Sequence, residues 1–354
     1  MKLSHTKLLF VLPRFHTNIY WATRALVEAG YSVNVLASTM ETNQELHDVI
    51  VPIITTQMSS EDLAVIMEAL SPDCIILRGG GMAADVATSY ARNQSIPLIK
   101  YDQVPVPQRW QLYRWFRRMR DSNPVRFRIS PVPRKCFSTK GNRREFFLPF
   151  PVSPGAARLQ SPQSEKLRVL CVGKLLQPRK NHGHVLTAIS NFPELAGRLE
   201  LTICGTTNAC SEQSLDYYRD LKRRGAELER IADVCFRENV EFNDMPQLYA
   251  AHDVCILPSY REPLGSAPLE AMSYGGIPFI SREAGTSTYL TNGLNGHVID
   301  PNDPFDTGAK LLQLLESQTF RAEMSSRARE FAQTELSGDA FVRRFEMILQ
   351  RVCG

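Results

Sequence analysis

Paired cysteines and metal-ligand spacings are absent from this sequence. Its 8 cysteines include no C-x-x-C pair, and no spacing of cysteine and histidine resembles a metal-ligand set. Cys74, Cys171, Cys204 and Cys255 fall inside apolar runs, which indicates buried free thiols in a reducing compartment. We therefore expect neither a disulfide framework nor a metal site.

Long apolar runs are also missing. No stretch reaches the length of a membrane span, and the run from Leu8 to Leu12 is interrupted by Pro13 and Arg14 before it could act as a secretion signal. We therefore expect a cytosolic protein. A length of 354 residues exceeds that of a typical single domain and predicts two domains.

Short apolar runs alternate with helical patterns along the chain, which predicts parallel sheets covered by helices. The predicted strands are KLLFVLP, YSVNVLA, VIVPII, DCIIL and IPLIKY in the first half, and RVLCVG, LTICG, VEF, DVCILPS and IPFIS in the second. Thr17 is expected to cap the first helix and Gly30 to follow its end. Three helical patterns, near 304–317, 320–335 and 339–352, then follow without intervening strands.

The segment 151–166 is rich in proline, serine, glycine and alanine, and it is the best candidate for a linker. We predict an α/β fold with two doubly wound, Rossmann-like domains, at 1–155 and 156–335, facing each other across a cleft. A C-terminal helix at 336–354 is expected to cross back to the first domain.

One region has almost no acidic residues. Between Arg109 and Arg144 there are 12 basic residues and one acid, Asp121, so this region carries +11 and the rest of the chain −7 within a total of +4. Such a concentration of one charge indicates an anionic partner.

Within this region, QRWQLYRWFRRMR at 108–120 predicts a helix with an apolar, aromatic face and a basic face. Such a helix suits an anionic membrane surface, and would make the protein peripheral at the inner face of the membrane. The predicted contact residues are Trp110, Arg114, Trp115, Arg117 and Arg118. The alternative is that the apolar face packs on the first domain's sheet. Nucleic acid is disfavoured because no groove-reading motif is present.

The stretch REPLGSAPLEAM places Glu262 and Glu270 on either side of a turn that opens a helix. It follows a predicted buried strand, and open parallel sheets bind ligands at the carboxyl ends of their strands. With Ser266 as cap, the helix N-terminus offers amides and a positive dipole end to a phosphate. Glu270 is then placed to accept hydrogen bonds from the hydroxyls of a ribose. Glu262 is placed to accept hydrogen bonds from the hydroxyls of the group that the phosphate carries. A capping box is disfavoured because it would need an acid at Leu269.

Over 167–335 the sequence resembles the retaining glycosyltransferases of family 4, which have the GT-B fold. The resemblance includes the E-x7-E spacing of Glu262 and Glu270 and the surrounding LPSYREPLGSAPLEAMSYGGIPFIS and NGLNGHVIDPND. It implies that Glu270 binds the ribose of a nucleoside-diphosphate sugar and that Glu262 contacts the sugar. It also implies retention of configuration, a glycan or lipid-linked acceptor, and a setting in bacterial cell-surface polysaccharide or lipopolysaccharide assembly.

The family also has a Gly-Arg after the first strand of its second domain and a lysine a few residues on. VGKLLQPRKN matches this with Gly173, Lys174 and Lys180, although Lys174 stands in place of arginine. The resemblance implies that these residues grip the donor diphosphate, and we expect the amides near Gly265 and Ser266 to assist. Two cations opposite a helix N-terminus can stabilise charge on a departing diphosphate, so no metal or other cofactor is expected. A single ammonium cannot clamp two oxygens as a guanidinium does.

The first half departs from the family. LPRFHTNIY offers no Gly-Gly after the first strand, and Tyr101, Asp102 and Gln103 stand where the family often has a histidine that contacts the donor sugar. In the second half, Thr288 replaces the acid of the family's Gly-Gly-x-x-Glu segment. These departures leave acceptor recognition open. They also motivate an alternative, a catalytically inactive GT-B scaffold that acts as a partner subunit.

A second alternative is an NAD-dependent oxidoreductase. GGGMAA fits G-x-G-x-x-A at Gly79, Gly81 and Ala84, and Asp102 follows at about the distance that the fingerprint requires. The motif does not follow the first strand, however, and no acid or base for hydride transfer is evident. A glycosyltransferase is therefore the preferred interpretation.

Overall fold

The chain forms two compact units, each built on a parallel sheet. The computed structural model describes residues 6–40, 50–102, 127–132, 145–155, 166–207, 211–229 and 232–353. One unit comprises Met1–Pro151 with Gly338–Gly354, and the other comprises Val152–Ser337. Both have the strand–helix alternation of Rossmann-like domains, so the predicted α/β class and doubly wound architecture are confirmed.

The first unit has a 7-stranded parallel sheet in the order β3-β2-β1-β4-β5-β6-β7. Its strands are β1 Lys7–Phe15, β2 Ser32–Met40, β3 Ile53–Ile54, β4 Cys74–Leu77, β5 Leu98–Tyr101, β6 Phe127–Ser130 and β7 Glu145–Phe147. Its helices are α1 Thr17–Glu28, α2 Ser60–Leu70, α3 Met82–Asn93 and, from the end of the chain, α10 Gly338–Cys353. Strands β1 and β4 are neighbours but not consecutive, so the strand order reverses between them.

The second unit has a 6-stranded parallel sheet in the order β10-β9-β8-β11-β12-β13. Its strands are β8 Leu167–Val172, β9 Leu199–Gly205, β10 Asp233–Glu238, β11 Val254–Leu257, β12 Ile277–Ser281 and β13 His297–Ile299. Its helices are α4 Gly183–Ser190, α5 Glu212–Leu228, α6 Met245–Ala251, α7 Ala267–Ser273, α8 Pro304–Glu316 and α9 Gln318–Glu335. Here the order reverses between β8 and β11.

The central strands are largely apolar because helices cover both faces of the sheets. Every residue of β4, β11 and β12 is buried, as expected for parallel strands. Burial of one large apolar side chain, such as Ile256 or Phe279, contributes roughly 1.5–3 kcal/mol. Cys74, Cys171, Cys204 and Cys255 lie in these cores as free thiols.

The predicted strand at VEF is wrong. The strand in this region is β10, at Asp233–Glu238, and Phe242–Asp244 forms a 3-10 turn instead. Strand β10 is a half-exposed sheet edge, and charged residues make up half of its sequence DVCFRE, so a search for apolar runs does not find it. Strands β6, β7 and β13 were missed for a related reason, since each has only three or four residues and lies at or beside a sheet edge.

The predicted cap of the first helix is also wrong by one residue. His16, with an extended backbone, occupies the N-cap position of α1, and Thr17 is the first helical residue. The side chain of His16 makes no capping hydrogen bond and contacts Arg78 instead. Gly30 follows the helix as predicted, with φ +92° and its amide donating to the carbonyl of Val27 at 2.9 Å.

The last helix belongs to the first unit. In α10 the buried residues recur at helical spacing, at Ala340, Phe341, Phe345, Ile348 and Leu349. The Phe345 ring lies edge-on to Tyr31, with ring centroids 6.4 Å apart, and the Tyr31 hydroxyl donates to Glu346 at 3.3 Å. The three helices predicted near the end of the chain are confirmed as α8, α9 and α10.

Among the helices of the described residues, none combines the length and the apolarity that crossing a bilayer requires. The basic segment 108–120, with Trp110, Arg114, Trp115, Arg117 and Arg118, lies outside the described residues. Its role therefore stays a prediction. Part of the linker candidate, 156–165, also lies outside them.

Candidate functional site

The site lies where the strand order of the second sheet reverses. Strands β8 and β11 are parallel neighbours whose chains continue to opposite sides of the sheet, which leaves room for a ligand beyond their carboxyl ends. The loop after β8 runs from Gly173 to His182 and contains a 3-10 turn at Pro178–Lys180. The loop after β11 runs from Pro258 to Ser266, where α7 begins. Most of the predicted site residues lie in these two loops.

A three-residue ion cluster joins the two loops. Glu262 Oε2 accepts hydrogen bonds from Lys180 Nζ at 2.5 Å and from Arg179 Nη1 at 2.8 Å. The side chains of Lys180 and Glu262 are only 13% and 10% exposed, while Arg179 is 43% exposed. The cluster carries a net charge of +1. Burial lowers the pKa of Lys180, and the nearby Glu262 carboxylate opposes that shift.

Arg179 was missed in the sequence because it does not stand at the family's arginine position. The chain has Lys174 at that position, and Lys174 is exposed. Lys174 nevertheless lies near the cluster, since its charge lowers the pKa of Lys180. The loop therefore presents Lys174, Arg179 and Lys180 together, and a guanidinium is present although it comes from a different residue.

Gly173 lies where the packing is close. A Cβ added there would lie 3.2 Å from both Lys180 Cδ and His182 Cε1. A Cβ added at Gly205, on the neighbouring β9, would lie 1.7 Å from the Gly173 carbonyl oxygen. The backbone after β8 thus passes directly against β9, and the side chain of Lys180 lies over Gly173.

Asn181 secures the end of this loop and was also missed. It has a left-handed backbone with φ +55°, which asparagine tolerates better than most residues. Its side-chain amide donates to the carbonyls of Pro258 at 3.2 Å and Pro301 at 3.1 Å. Asn181 therefore ties the loop after β8 to the loops after β11 and β13.

The turn before α7 is held against the segment that follows β12. Gly265 has φ +82°, and a Cβ added there would lie 2.2 Å from Leu257 Cδ2. The buried Thr286 hydroxyl donates to the carbonyls of Leu264 and Gly265, both at 2.9 Å. Glu262 bridges Ala284 as a short parallel strand pair. These contacts determine where the Glu262 side chain points.

Replacing Gly265 by alanine should destabilise the protein by roughly 2–4 kcal/mol, because the new methyl group combines backbone strain with a clash in the core. Gly293 provides a matched control, since its φ of +78° is similar but a Cβ there meets nothing within 4 Å. Gly293→Ala should therefore cost only about 1 kcal/mol. Equal losses in urea unfolding of the two variants would show that the clash with Leu257 is unimportant.

Glu270 lies in the first turn of α7 and is held from two sides. Its Oε1 accepts from the Ser266 hydroxyl at 2.9 Å, and its Oε2 accepts from the Tyr249 hydroxyl at 2.9 Å. Ser266 is the N-cap residue as predicted, but its side chain caps no backbone amide. Burial, followed by the charge of Glu270, raises the pKa of Tyr249 well above its ordinary value. Tyr249 therefore stays protonated and serves as a donor that orients the carboxylate.

His182 is the last residue of the loop after β8 and is completely buried. Its Nδ1 lies 3.2 Å from Cys171 Sγ. Burial lowers the pKa of His182 from its ordinary 6.5 to about 4, so the ring is neutral at pH 7.

This shift predicts a loss of stability in acid. Below pH 6.5 this histidine is protonated in the unfolded chain, whereas in the folded protein it stays neutral until about pH 4. The free energy of unfolding should therefore fall as the pH falls from 6.5 to about 4. A shift of this size corresponds to roughly 3 kcal/mol. His182→Gln should show a shallower decline in urea unfolding between pH 6.5 and 4. If both proteins lose stability equally, the neutral state of His182 does not limit folding.

Three of the four residues that depart from the family's pattern, Thr288, Tyr101 and Asp102, lie within the described residues. Thr288 lies in the 3-10 turn Gly285–Tyr289, where its hydroxyl donates to the Gly285 carbonyl at 2.8 Å. In the first unit, the Tyr101 hydroxyl donates to the Leu148 carbonyl at 3.0 Å, and Asp102 forms an ion pair with Arg128 at 3.6 Å. Gln103 lies outside the described residues.

The glycine motif proposed for NAD lies between β4 and α3. Gly81 occupies the N-cap position of α3 with φ +104°, and Ala84 is buried in its first turn. The motif thus opens a helix, but it follows the fourth strand rather than the first. Asp102, the predicted ribose ligand of that alternative, is paired with Arg128.

The described part of the chain contains no group of three or more His, Cys, Asp or Glu residues that could hold a metal ion. The positive charge near Glu262 comes from Lys174, Arg179 and Lys180 instead.

Residues 157–331 match the family described as glycosyl transferases group 1. The second half of this chain belongs to that family. The matched range includes the whole ion cluster, Ser266 and Glu270, so the predicted resemblance is confirmed over the residues that carry it. A D-inositol 3-phosphate glycosyltransferase of Salinispora arenicola is 31% identical over 140 residues, which cover 40% of this chain and 31% of the relative. The chain spans less than half the length of the curated relatives that it matches.

Solved glycosyltransferases share the fold of this chain. HepE of Anabaena, solved in complex with UDP, has a TM-score of 0.72 and 15% identity, covering 98% of this chain and 100% of HepE. WaaG, a glycosyltransferase involved in lipopolysaccharide biosynthesis, has a TM-score of 0.63 and 17% identity, covering 98% of this chain and 100% of WaaG. At these identities the likeness establishes the GT-B fold alone.

Proposed function

We propose that this protein transfers a sugar, with retention of configuration, from a nucleoside-diphosphate sugar to a glycan or lipid-linked acceptor. The observation that carries this is the placement of the Lys180–Glu262–Arg179 cluster where the second sheet's strand order reverses, inside the matched glycosyltransferase region. HepE, which has the same fold, was solved with UDP and with UDP-glucose, and this supports a nucleotide-sugar donor.

Glu270 would bind the ribose of the donor. Its two oxygens are already oriented by Ser266 and Tyr249, and each carboxylate oxygen has a second lone pair that can accept from a ribose hydroxyl. A carboxylate fixed in this way loses little conformational entropy when the nucleotide binds.

Lys174, Arg179 and Lys180 would hold the diphosphate, assisted by the amides of Gly265 and Ser266. Three cations against one carboxylate leave an excess of positive charge for a dianionic or trianionic group. As the bond to the sugar breaks, negative charge grows on the diphosphate, and these donors would stabilise it.

Glu262 would contact the donor sugar. Its Oε2 is occupied by the two cations, whereas Oε1 accepts from no described residue. That oxygen can accept hydrogen bonds from sugar hydroxyls, and its position is fixed because the other oxygen is held. The first unit would bind the acceptor.

The proposed setting is cell-surface polysaccharide or lipopolysaccharide assembly at the inner face of the membrane. WaaG, whose fold this chain shares, is involved in lipopolysaccharide biosynthesis, and the basic segment 108–120 offers a peripheral membrane contact. If this is correct, replacing Arg114, Arg117 and Arg118 by glutamate should abolish binding to anionic vesicles. Persistent binding in a sedimentation assay would assign the segment to another role.

The donor can be identified by thermal shift with UDP, GDP, ADP, CMP and NAD in parallel. A ligand at a hundred times its dissociation constant adds about 2.7 kcal/mol of stability, which this measurement resolves. A shift with one nucleoside diphosphate would support the proposal and name the base. A shift with NAD alone would favour an oxidoreductase, and no shift with any nucleotide would favour an inactive scaffold.

A further inference from the structure

The first unit carries a cationic cluster that the proposed donor site does not use. It lies at the carboxyl ends of β1 and β4, where the strand order of the first sheet reverses. Arg14 is near the end of β1, His16 follows that strand directly, and Arg78 follows β4 directly. Arg78 Nη1 forms a hydrogen bond with His16 Nε2, which joins the two strand ends. The position corresponds to that of the Lys180–Glu262 contact in the second unit.

The contact between Arg78 and His16 leaves the charge of Arg78 uncompensated. A guanidinium can only donate, so His16 Nε2 is the acceptor and the ring proton is on Nδ1. Burial, followed by the charges of Arg78 and Arg14, lowers the pKa of His16 to about 3. The neutral ring therefore orients the guanidinium without neutralising it.

No described carboxylate forms an ion pair with Arg78. Asp102, at the end of the adjacent β5, is paired with Arg128. In the second unit, by contrast, the equivalent position is compensated by Glu262. Arg78 is also partly removed from water, and burial lowers its pKa, although a guanidinium remains charged at neutral pH. A partly buried cation of this kind is stabilised when an anion binds to it.

The glycines after Arg78 have no side chains, so the backbone amides of residues 79–81 are accessible next to the arginine. A Cβ added at Gly79 would lie 3.2 Å from the ring of Pro13, so the loop passes close to the end of β1. Around Gly80 and Gly81 an added Cβ would meet nothing within 4 Å. The amides of this loop open the 12-residue helix α3 and can add donors to those of the arginine.

We propose that Arg14, Arg78 and the 79–81 loop bind an anionic group, a phosphate or a carboxylate, on the acceptor substrate. The assignment to the acceptor rests on the proposed function, whereas the anion site itself depends only on the first unit. Arg78 binds the anion, and His16 is a positioning residue that acts through Arg78.

Binding of inorganic phosphate to the full chain, followed by phosphorus NMR in the presence of saturating UDP, tests the site. Arg78→Gln and Arg14→Gln should each weaken phosphate binding about tenfold, the loss expected for one charge-assisted hydrogen bond. Arg92→Gln, at the exposed far end of α3, should not change it. Lys180→Gln, in the second unit, should also leave it unchanged, and a loss in Lys180→Gln alone would overturn the proposal.

The affinity for UDP distinguishes an anion site for the acceptor from one for the donor. It should be the same in Arg78→Gln and the wild type, while the KM for acceptor rises and kcat changes little. A fall in UDP affinity would overturn the assignment to the acceptor. If none of UDP, GDP, ADP and CMP binds but phosphate binding still requires Arg78, the proposed function fails and the anion site stands.

The anion can come from a soluble phosphate ester or from a phosphate lipid. Phosphatidylcholine vesicles with and without a polyprenyl phosphate distinguish these sources. Vesicle binding that requires the polyprenyl phosphate and is lost in Arg78→Gln indicates a lipid-borne group. Phosphate binding in solution without such vesicle binding indicates a soluble acceptor. If Arg78→Gln behaves as the wild type in both arms, the proposal is wrong.

Discussion

Lys180→Gln should lower kcat for sugar transfer by roughly a hundredfold to a thousandfold, the loss typical of removing one donor that stabilises developing charge. Lys180 is largely buried and held by Glu262 at 2.5 Å, so its ammonium is positioned before the donor binds. Because charge on the diphosphate grows as the sugar departs, the effect should fall on kcat more than on the KM for the donor. Steady-state kinetics with the nucleotide sugar identified by thermal shift measure both.

Two comparisons sharpen this prediction. Lys222→Gln removes an exposed lysine on α5 that pairs with Glu238, and it should leave kcat unchanged. Lys174→Gln removes an exposed ammonium and should have a smaller effect than Lys180→Gln, because water screens it. If Lys180→Gln raises the KM for the donor but leaves kcat intact, the lysine contributes to ground-state binding only.

Glu270→Ala should weaken nucleoside-diphosphate binding by roughly a hundredfold. Two hydrogen bonds from ribose hydroxyls to a charged acceptor are worth about 1.5 kcal/mol or more each. Isothermal titration with the nucleotide that stabilises the wild type measures the loss directly. Glu270→Gln, which keeps the shape but removes the charge, should give an intermediate affinity.

The alanine variant also leaves the Tyr249 hydroxyl buried without its acceptor, which costs stability by itself. Tyr249→Phe separates the two effects, since it removes the hydroxyl and keeps the carboxylate. We expect this variant to lose only a few-fold in affinity, because Ser266 still holds the other oxygen at 2.9 Å. Unchanged affinity in Glu270→Ala would remove the ribose assignment.

The parts of the site that the sequence predicted share one property. Glu262, Gly265, Ser266 and Glu270 lie in one short segment that joins a buried strand to a helix. Their relation to each other follows from local chain geometry, and Glu270 and Ser266 meet because residues four apart lie on one helix face. The same reasoning located α8, α9 and α10, which have strong apolar periods.

The parts that were missed are long-range contacts or weak local signals. Tyr249 reaches Glu270 from a different helix, and Arg179 reaches Glu262 across 83 residues of chain. Strands β6, β7, β10 and β13 are short or lie at a sheet edge, so they bury too little apolar surface to give a clear pattern. The N-cap of α1 is His16 rather than Thr17, and the His16 side chain contacts Arg78, 62 residues away.

The sequence by itself determined the α/β class, the order of most strands and helices, the group 1 glycosyltransferase motifs and the loops that carry Glu262 and Glu270. Burial periodicity and turn chemistry are local, so these features can be inferred without coordinates. Only the tertiary structure decided which cations meet Glu262, which hydroxyl orients Glu270 and that Arg78 pairs with a neutral histidine. These contacts form because parallel strands bring their carboxyl ends to one edge of the sheet. Residues far apart in the chain then lie together in an environment of low dielectric constant. In such an environment each charge must be paired or bind a ligand.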